Sequence, residues 1–250
     1  MAPIVRVNEV DSTQRAARAL LAEGAVHGTL VVAQRQTAGR GRLARSWASG
    51  EGGLWLSMIV RGALPATRAP RVILGAAVIA LDALDALGAH ASIKWPNDLM
   101  LPHPTAVERL GPWRKLGGLL FEGVQLDAGV VLAAVLGVGI NVRPPPGGFP
   151  SELASIAASL EDAGVRVAVD DVLAALAPRL QAGVLDALDD DAFAEVLATL
   201  RARSATLGRR VEVDGVVGVA ERIDDDGALG LRDDLGTLHT VRAGDANCMV

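Results

Sequence analysis

Two apolar runs constrain this chain most: K-L-G-G-L-L-F-E-G-V-Q-L at 115–126 and V-V-L-A-A-V-L-G-V at 130–138. Asp127-Ala128-Gly129 between them is turn chemistry, which predicts an antiparallel hairpin. Shorter strands are expected at 4–10, 29–34 and 54–60. A helix to about Glu23 follows the capping side chains Asp11-Ser12-Thr13, and a more fully apolar helix is expected over 70–88. Residues 92–100 read as an extended segment broken by Pro96, and 102–114, rich in proline and charge, as a surface insertion. Three helical stretches are expected in 151–203. From Ser204 the pattern changes to short β-type runs separated by Asp/Gly turns, which predicts a small antiparallel barrel or sandwich. The reading is a mixed α/β (α+β) chain with two parts, 1–203 and 204–250.

Composition narrows the function classes. The single cysteine, Cys248, excludes an intramolecular disulfide and a cysteine-rich metal site, and the four histidines show no ligand spacing. No apolar run is long enough to span a bilayer and no leader pattern is seen, so a cytoplasmic protein without membrane partners is expected. A net charge of −5 speaks against a protein that coats nucleic acid, while leaving room for a local basic site.

One such site stands out. Q-T-A-G-R-G-R-L-A-R-S-W at 36–47 carries Arg40, Arg42 and Arg45 with no acid beside them in sequence. Charged loops are commonly just solvated. Here Gly39 and Gly41 alternate with arginines, so the backbone can approach a ligand, and guanidinium forks match phosphate or carboxylate. Trp47 closes the segment with a flat ring. The loop reads as a clamp that orders over an anion. Lys94, in K-W-P-N-D (94–98), must either reach solvent or meet an anion. Gly117-Gly118 inside a strand suits a surface on which something lies flat. G-V-G-I-N at 137–141 is not a dinucleotide fingerprint, since Val142 stands where a third glycine belongs, and no phosphate-binding G-x-x-x-x-G-K-[ST] loop is present.

Taken in order, Q-T-A-G-R-G-R-x-x-R-x-W, K-W-P-N-D, K-L-G-G-L-L-x-E and G-x-G-I-N-V resemble the signature of biotin protein ligases. The resemblance implies a catalytic domain of class II synthetase type followed by an SH3-like β-barrel. It implies activation of biotin by ATP to biotinyl-5′-AMP, then transfer to a lysine on the biotin carboxyl carrier domain of an acyl-CoA carboxylase. Gln14 stands where the family usually has asparagine, Ala44 where it has glycine, and Gly117 where it has alanine. Some members carry an N-terminal DNA-binding domain; with catalytic motifs beginning in the first residues, no DNA role and a monomer or weak homodimer are expected.

The resemblance places Ser12, Thr13, Gln14 and Gln36 around biotin, with Gly39, Arg40, Gly41 and Arg42 closing over it and Gly117 and Gly118 beneath. Arg40, Arg42, Arg45, Trp47 and Asn141 fall on the adenylate side. Helix capping is the structural alternative for Ser12 and Thr13. Two like charges about 4 Å apart repel by roughly 4 kcal/mol at an effective dielectric near 20, so joining a carboxylate to ATP requires preplaced cations. Lys94 is expected to bridge the carboxylate and the α-phosphate, with Arg40 and Arg42 as further catalytic groups. Mg²⁺ is expected with ATP, its protein ligands unassigned. Two rivals remain. A lipoate ligase shares fold and chemistry, but its arginine-pair and triple-glycine signature ending in H-D is missing. A non-enzymatic anion- or RNA-binding protein would want a broad basic face and more aromatics than four Trp and three Phe.

Overall fold

In the computed structural model, which describes residues 1–107 and 110–249, the apolar runs of the first 141 residues build one seven-stranded sheet. In chain order the elements are β1 (Ile4–Val10), α1 (Thr13–Ala22), β2 (Leu30–Gln36), β3 (Gly53–Pro65), α2 (Ala69–Asp85), β4 (Ser92–Lys94), β5 (Asp98–Val107), β6 (Gly111–Asp127) and β7 (Val130–Asn141). After a stretch of turns come α3 (Val169–Gly183), α4 (Asp190–Ala202), β8 (Arg210–Val213), β9 (Val216–Ile223), β10 (Leu229–Arg232), β11 (Leu238–Val241) and β12 (Asn247–Cys248).

The large sheet has the order β1-β2-β3-β7-β6-β5-β4. Only β1–β2 is parallel; the other pairs are antiparallel. The expected hairpin is β6–β7, paired from Gly117↔Ile140 to Asp127↔Val130 with an irregularity at Gln125. Ala128 (φ 44°) and Gly129 (φ 80°) form its two-residue turn, both left-handed, as the twist of a tight hairpin requires.

Period-two alternation gives the sheet two cores. Val31, Ile59, Ala133 and Val135 face α1, packing with its Ala17 and Leu21. Their neighbours Leu30, Val32, Met58, Val60, Ala134 and Leu136 face the opposite side, where α2, α3 and α4 bury Val72, Leu81, Leu176 and Leu197. Helix α1 is only ten residues long and leaves part of its face of the sheet uncovered. The site lies there.

Two expectations need correction. The stretch 151–203 holds two α-helices and a short 3₁₀ turn at Asp186–Leu188, not three helices; 151–157 is turn structure ending in a bridge to Lys115. Asp189 starts α4 by accepting the Asp191 and Ala192 amides. The segment read as an insertion is instead the outer ends of β5 and β6, with residues 108 and 109 of it outside the described residues. The C-terminal β-runs form a five-stranded antiparallel sheet, β11-β10-β9-β8-β12, whose ladder stays open among the described residues. This sheet shares the main core, contributing Val211, Ala220, Leu229 and Leu231. It is also tied to the residue that follows β4: the Trp95 amide donates to Thr206 Oγ1 (2.9 Å) and its indole N–H to the Gly227 carbonyl (3.0 Å). No helix of the described residues is long and apolar enough to cross a membrane.

Candidate active site

Where α1 stops short, Ser57 of β3, Gly137 and Gly139 of β7 and Gly118 of β6 occupy one face of neighbouring strands, in the pairs Ser57↔Gly137 and Gly118↔Gly139. Three missing side chains make a flat floor. The start of α1, the arginine loop and Asp245 wall it into a cavity of about 110 Å³.

The polar end is built by α1 and β2. Ser57 Oγ donates to Thr13 Oγ1 (2.9 Å), and Thr13 donates through both its amide and its hydroxyl to Gln36 Oε1 (2.8 and 3.0 Å). Gln36 Nε2 donates onward to Ser49 Oγ (2.8 Å). Gln36 therefore caps α1 while the Thr13 side chain is spent on fixing it. Ser12 stands at the N-cap position, yet its hydroxyl makes no cap bond. Ser12 Oγ and Gln14 Oε1 are buried with no partner, and both line the cavity. Buried polar atoms nearly always find partners, so two orphans at one end of a cleft mark where a ligand's donors and acceptors belong.

The cationic side comes from the loop, which folds back on itself through an Arg40↔Ser46 bridge and the Trp47 amide bonded to Gly39 O (2.9 Å). The arginines have no acid nearby in sequence, but the fold supplies distant ones. Arg40 lies 3.4 Å from Glu122 Oε1. Arg42 donates to Asn97 Oδ1 (2.7 Å) and lies 3.4 Å from Asp245, which also pairs with Arg45. Leu43 at the loop tip is left-handed (φ 54°); the side chain of Ala44 is outside the described residues. Trp47 lies on the glycine floor: a Cβ on Gly139 would meet its Nε1 at 2.9 Å, and one on Gly118 its ring at 3.6 Å.

Three of the expected residues, Gly117, Asn141 and Gly39, sit elsewhere. Gly117 points to the opposite face, where a Cβ would collide with the Gly139 carbonyl oxygen; it serves strand packing rather than the floor. Asn141 donates to the Ala158 carbonyl (3.0 Å) beneath a neighbouring depression bounded by Arg143 and Pro145, not in this cavity. Gly39 lies behind the loop, against Ser49 and the Trp47 carbonyl.

Lys94 requires the largest revision. It is buried, is not a lining group, and lies 3.5 Å from Asp98 Oδ2. The lysine that lines the cavity is Lys115, from K-L-G-G, 2.7 Å from Asp98 Oδ1 and with its ammonium 5.0 Å from the Trp47 ring centroid. Burial alone would raise the Asp98 carboxyl, but the two ammoniums hold it below the ordinary carboxylate value. Sequence reading also passed over Ser57, Gly137, Gly139, Asn97, Glu122 and Asp245. Lys115 and Glu122 stood in the quoted motif; Asp245 had no local signal. Among the described residues no cluster of three or more His, Cys, Asp or Glu could hold a metal ion.

Residues 7–141 match the Biotin/lipoate A/B protein ligase family. The chain is 35% identical to the biotin–[acetyl-CoA-carboxylase] ligase of Mycobacterium tuberculosis, over 96% of this chain and 86% of that one. It is 41% identical to the bifunctional ligase/repressor BirA of Bacillus subtilis over 62% of this chain, but spans only 45% of that relative's length. Among solved structures, the biotin protein ligase of Aquifex aeolicus in complex with biotin and ATP superposes with a TM-score of 0.77 at 25% identity, covering 99% of this chain and 98% of that one. The chain belongs to the biotin/lipoate A/B protein ligase family.

Proposed function

We infer that the protein is an ATP-dependent biotin protein ligase, which adenylates biotin and then transfers it to a lysine of a carrier domain. The observation that carries this reading is the polarity of the cleft. Orphaned Ser12 Oγ and Gln14 Oε1 sit at one end, Lys115, Arg42 and Arg45 at the other, with a glycine floor between and Arg40 reaching to Glu122 beside Gln14. Such a cleft suits a molecule with a hydrogen-bonding ring at one end and an acid at the other. The second reading, a lipoate ligase, fits less well, because a dithiolane ring gives the two orphans nothing to bond.

In the first step the biotin carboxylate attacks the α-phosphorus of ATP, the bond to the bridging oxygen breaks, and pyrophosphate leaves. Lys115, rather than Lys94, is placed to neutralise the approaching anions, since its ammonium reaches the cavity from the edge of the floor. Lys94 holds Asp98, which in turn holds Lys115. Arg40, Arg42 and Arg45 close over the phosphates and exclude water from the anhydride. Trp47 must leave the floor for the ring system to enter, and is the candidate to stack against it. If ATP is bound as its Mg²⁺ complex, the metal would supply screening of the pyrophosphate charge, and no protein ligand is assigned to it. In the second step the carrier lysine's amine attacks the anhydride carbonyl and AMP departs. The carrier proposed is that of an acyl-CoA carboxylase. Residues 1–203 are proposed as the catalytic part and 204–250 as the β-module that supplies Asp245.

The test is to mix the protein with biotin, MgATP and a purified carrier domain and weigh the carrier. The expected result is the mass gain of one biotinyl amide, with biotinyl-5′-AMP accumulating when the carrier is omitted. Gain with lipoate and none with biotin would replace this reading by the second; gain with neither would overturn both.

A further inference from the structure

We propose that Glu122 is a positioning residue that sets the hydrogen-bond polarity of the ring end of the cleft, making Gln14 an acceptor for a ring N–H of the bound acid. The proposal rests on the biotin ligase reading above.

Glu122 lies on β6, four residues beyond Gly118 and therefore on the same face of the sheet. Gln14 and Arg18, one turn apart on α1, descend onto it. Gln14 Nε2 donates to Glu122 Oε2 at 2.9 Å; Arg18 lies 3.3 Å from the same oxygen and Arg40 3.4 Å from the other. An ionised carboxylate held between two guanidiniums can only accept. An amide facing it must therefore present its NH₂ group, which obliges the amide oxygen to point the other way. That oxygen, Gln14 Oε1, is the one left without a partner. It lies 3.2 Å from where a Cβ on Gly137 would stand, on the floor of the cleft. The bond to Glu122 thus fixes which end of the amide faces the floor. A cyclic urea supplies the missing N–H; a dithiolane does not, and would leave a buried acceptor unpaired.

The experiment measures adenylate formation by pyrophosphate exchange, varying biotin at saturating MgATP. Glu122→Gln can donate as well as accept, so it frees Gln14 to flip. The expected result is a KM for biotin raised about tenfold with kcat changed far less, and a smaller preference for biotin over lipoate. The exchanged pair Gln14→Glu with Glu122→Gln restores the bond with donor and acceptor reversed: residue 122 donates and residue 14 keeps an acceptor in the cleft. Its KM should return to near the wild-type value, which a general packing defect would not do. An unchanged biotin KM in folded E122Q, or no recovery in the exchanged pair, overturns the proposal. Should E122Q alone not fold, the exchanged pair decides by itself: a wild-type-like KM supports the proposal and a tenfold rise overturns it. Wild-type protein that adenylates no biotin at all refutes the functional reading instead, a result seen before any variant is made.

Discussion

Lys94 and Lys115 share one carboxylate, yet their surroundings assign them different work. The Lys94 side chain is 8% exposed and the Lys115 side chain 30%, at the cavity wall. Lys115→Met is expected to slow adenylate formation by about 100-fold or more with little change in melting temperature. Lys94→Met should lower the melting temperature and cost less activity; pyrophosphate exchange and a thermal melt on both variants check the pair. Asp98→Asn leaves the buried Lys94 ammonium uncompensated and should destabilise by about 3 kcal/mol. The pH dependence follows from the sign of the Asp98 shift. Its folded value lies below the unfolded one, so its contribution is complete above about pH 4 and is lost as pH falls through the lowered value. Urea denaturation across that acid window should show a wild-type decline that D98N lacks. At this scale sequence was half legible. It marked the arginine loop, Ser12 and Gln14, which line the cavity, but of two motif lysines it favoured Lys94, which the fold buries away from that cavity, because neither K-W-P-N-D nor K-L-G-G carries a local signal of depth.

The glycines of β6 and β7 show what strands decide and composition cannot. Gly117 and Gly118 are neighbours in sequence and point to opposite faces. Gly117→Ala must push against the Gly139 backbone and should destabilise by about 2 kcal/mol, read by chemical denaturation. Gly118→Ala meets only ordinary contacts at 3.4–3.6 Å, so it should fold normally and instead weaken biotin binding in calorimetry. The hairpin, α2 and the early strands were legible because alternation and turn chemistry are local signals. The stretch after Pro150 was not: apolar residues at helical spacing there pack as turns against Lys115 and Asn141, a choice made by tertiary contacts.

At the scale of the molecule, the open β-sheet of 204–250 is joined to the rest by a shared core and by both N–H donors of Trp95. A chain cut after Arg203 is expected to lose its cooperative melt and near-ultraviolet circular dichroism, since Trp95 would be left buried without partners. The same sheet brings Asp245 to Arg42 and Arg45, at the mouth of the cleft. Four cations there (Arg40, Arg42, Arg45 and Lys115) already face three carboxylates of the protein's own, Glu122, Asp98 and Asp245. The mouth is thus an ion exchanger in its resting form rather than a bare positive electrode. Chloride or a simple monoanion is expected to gain little by displacing a carboxylate already in place, whereas a triphosphate would bring several charges to the guanidiniums it takes over, so selectivity for polyvalent anions is expected to rest on carboxylates that never touch the chemistry.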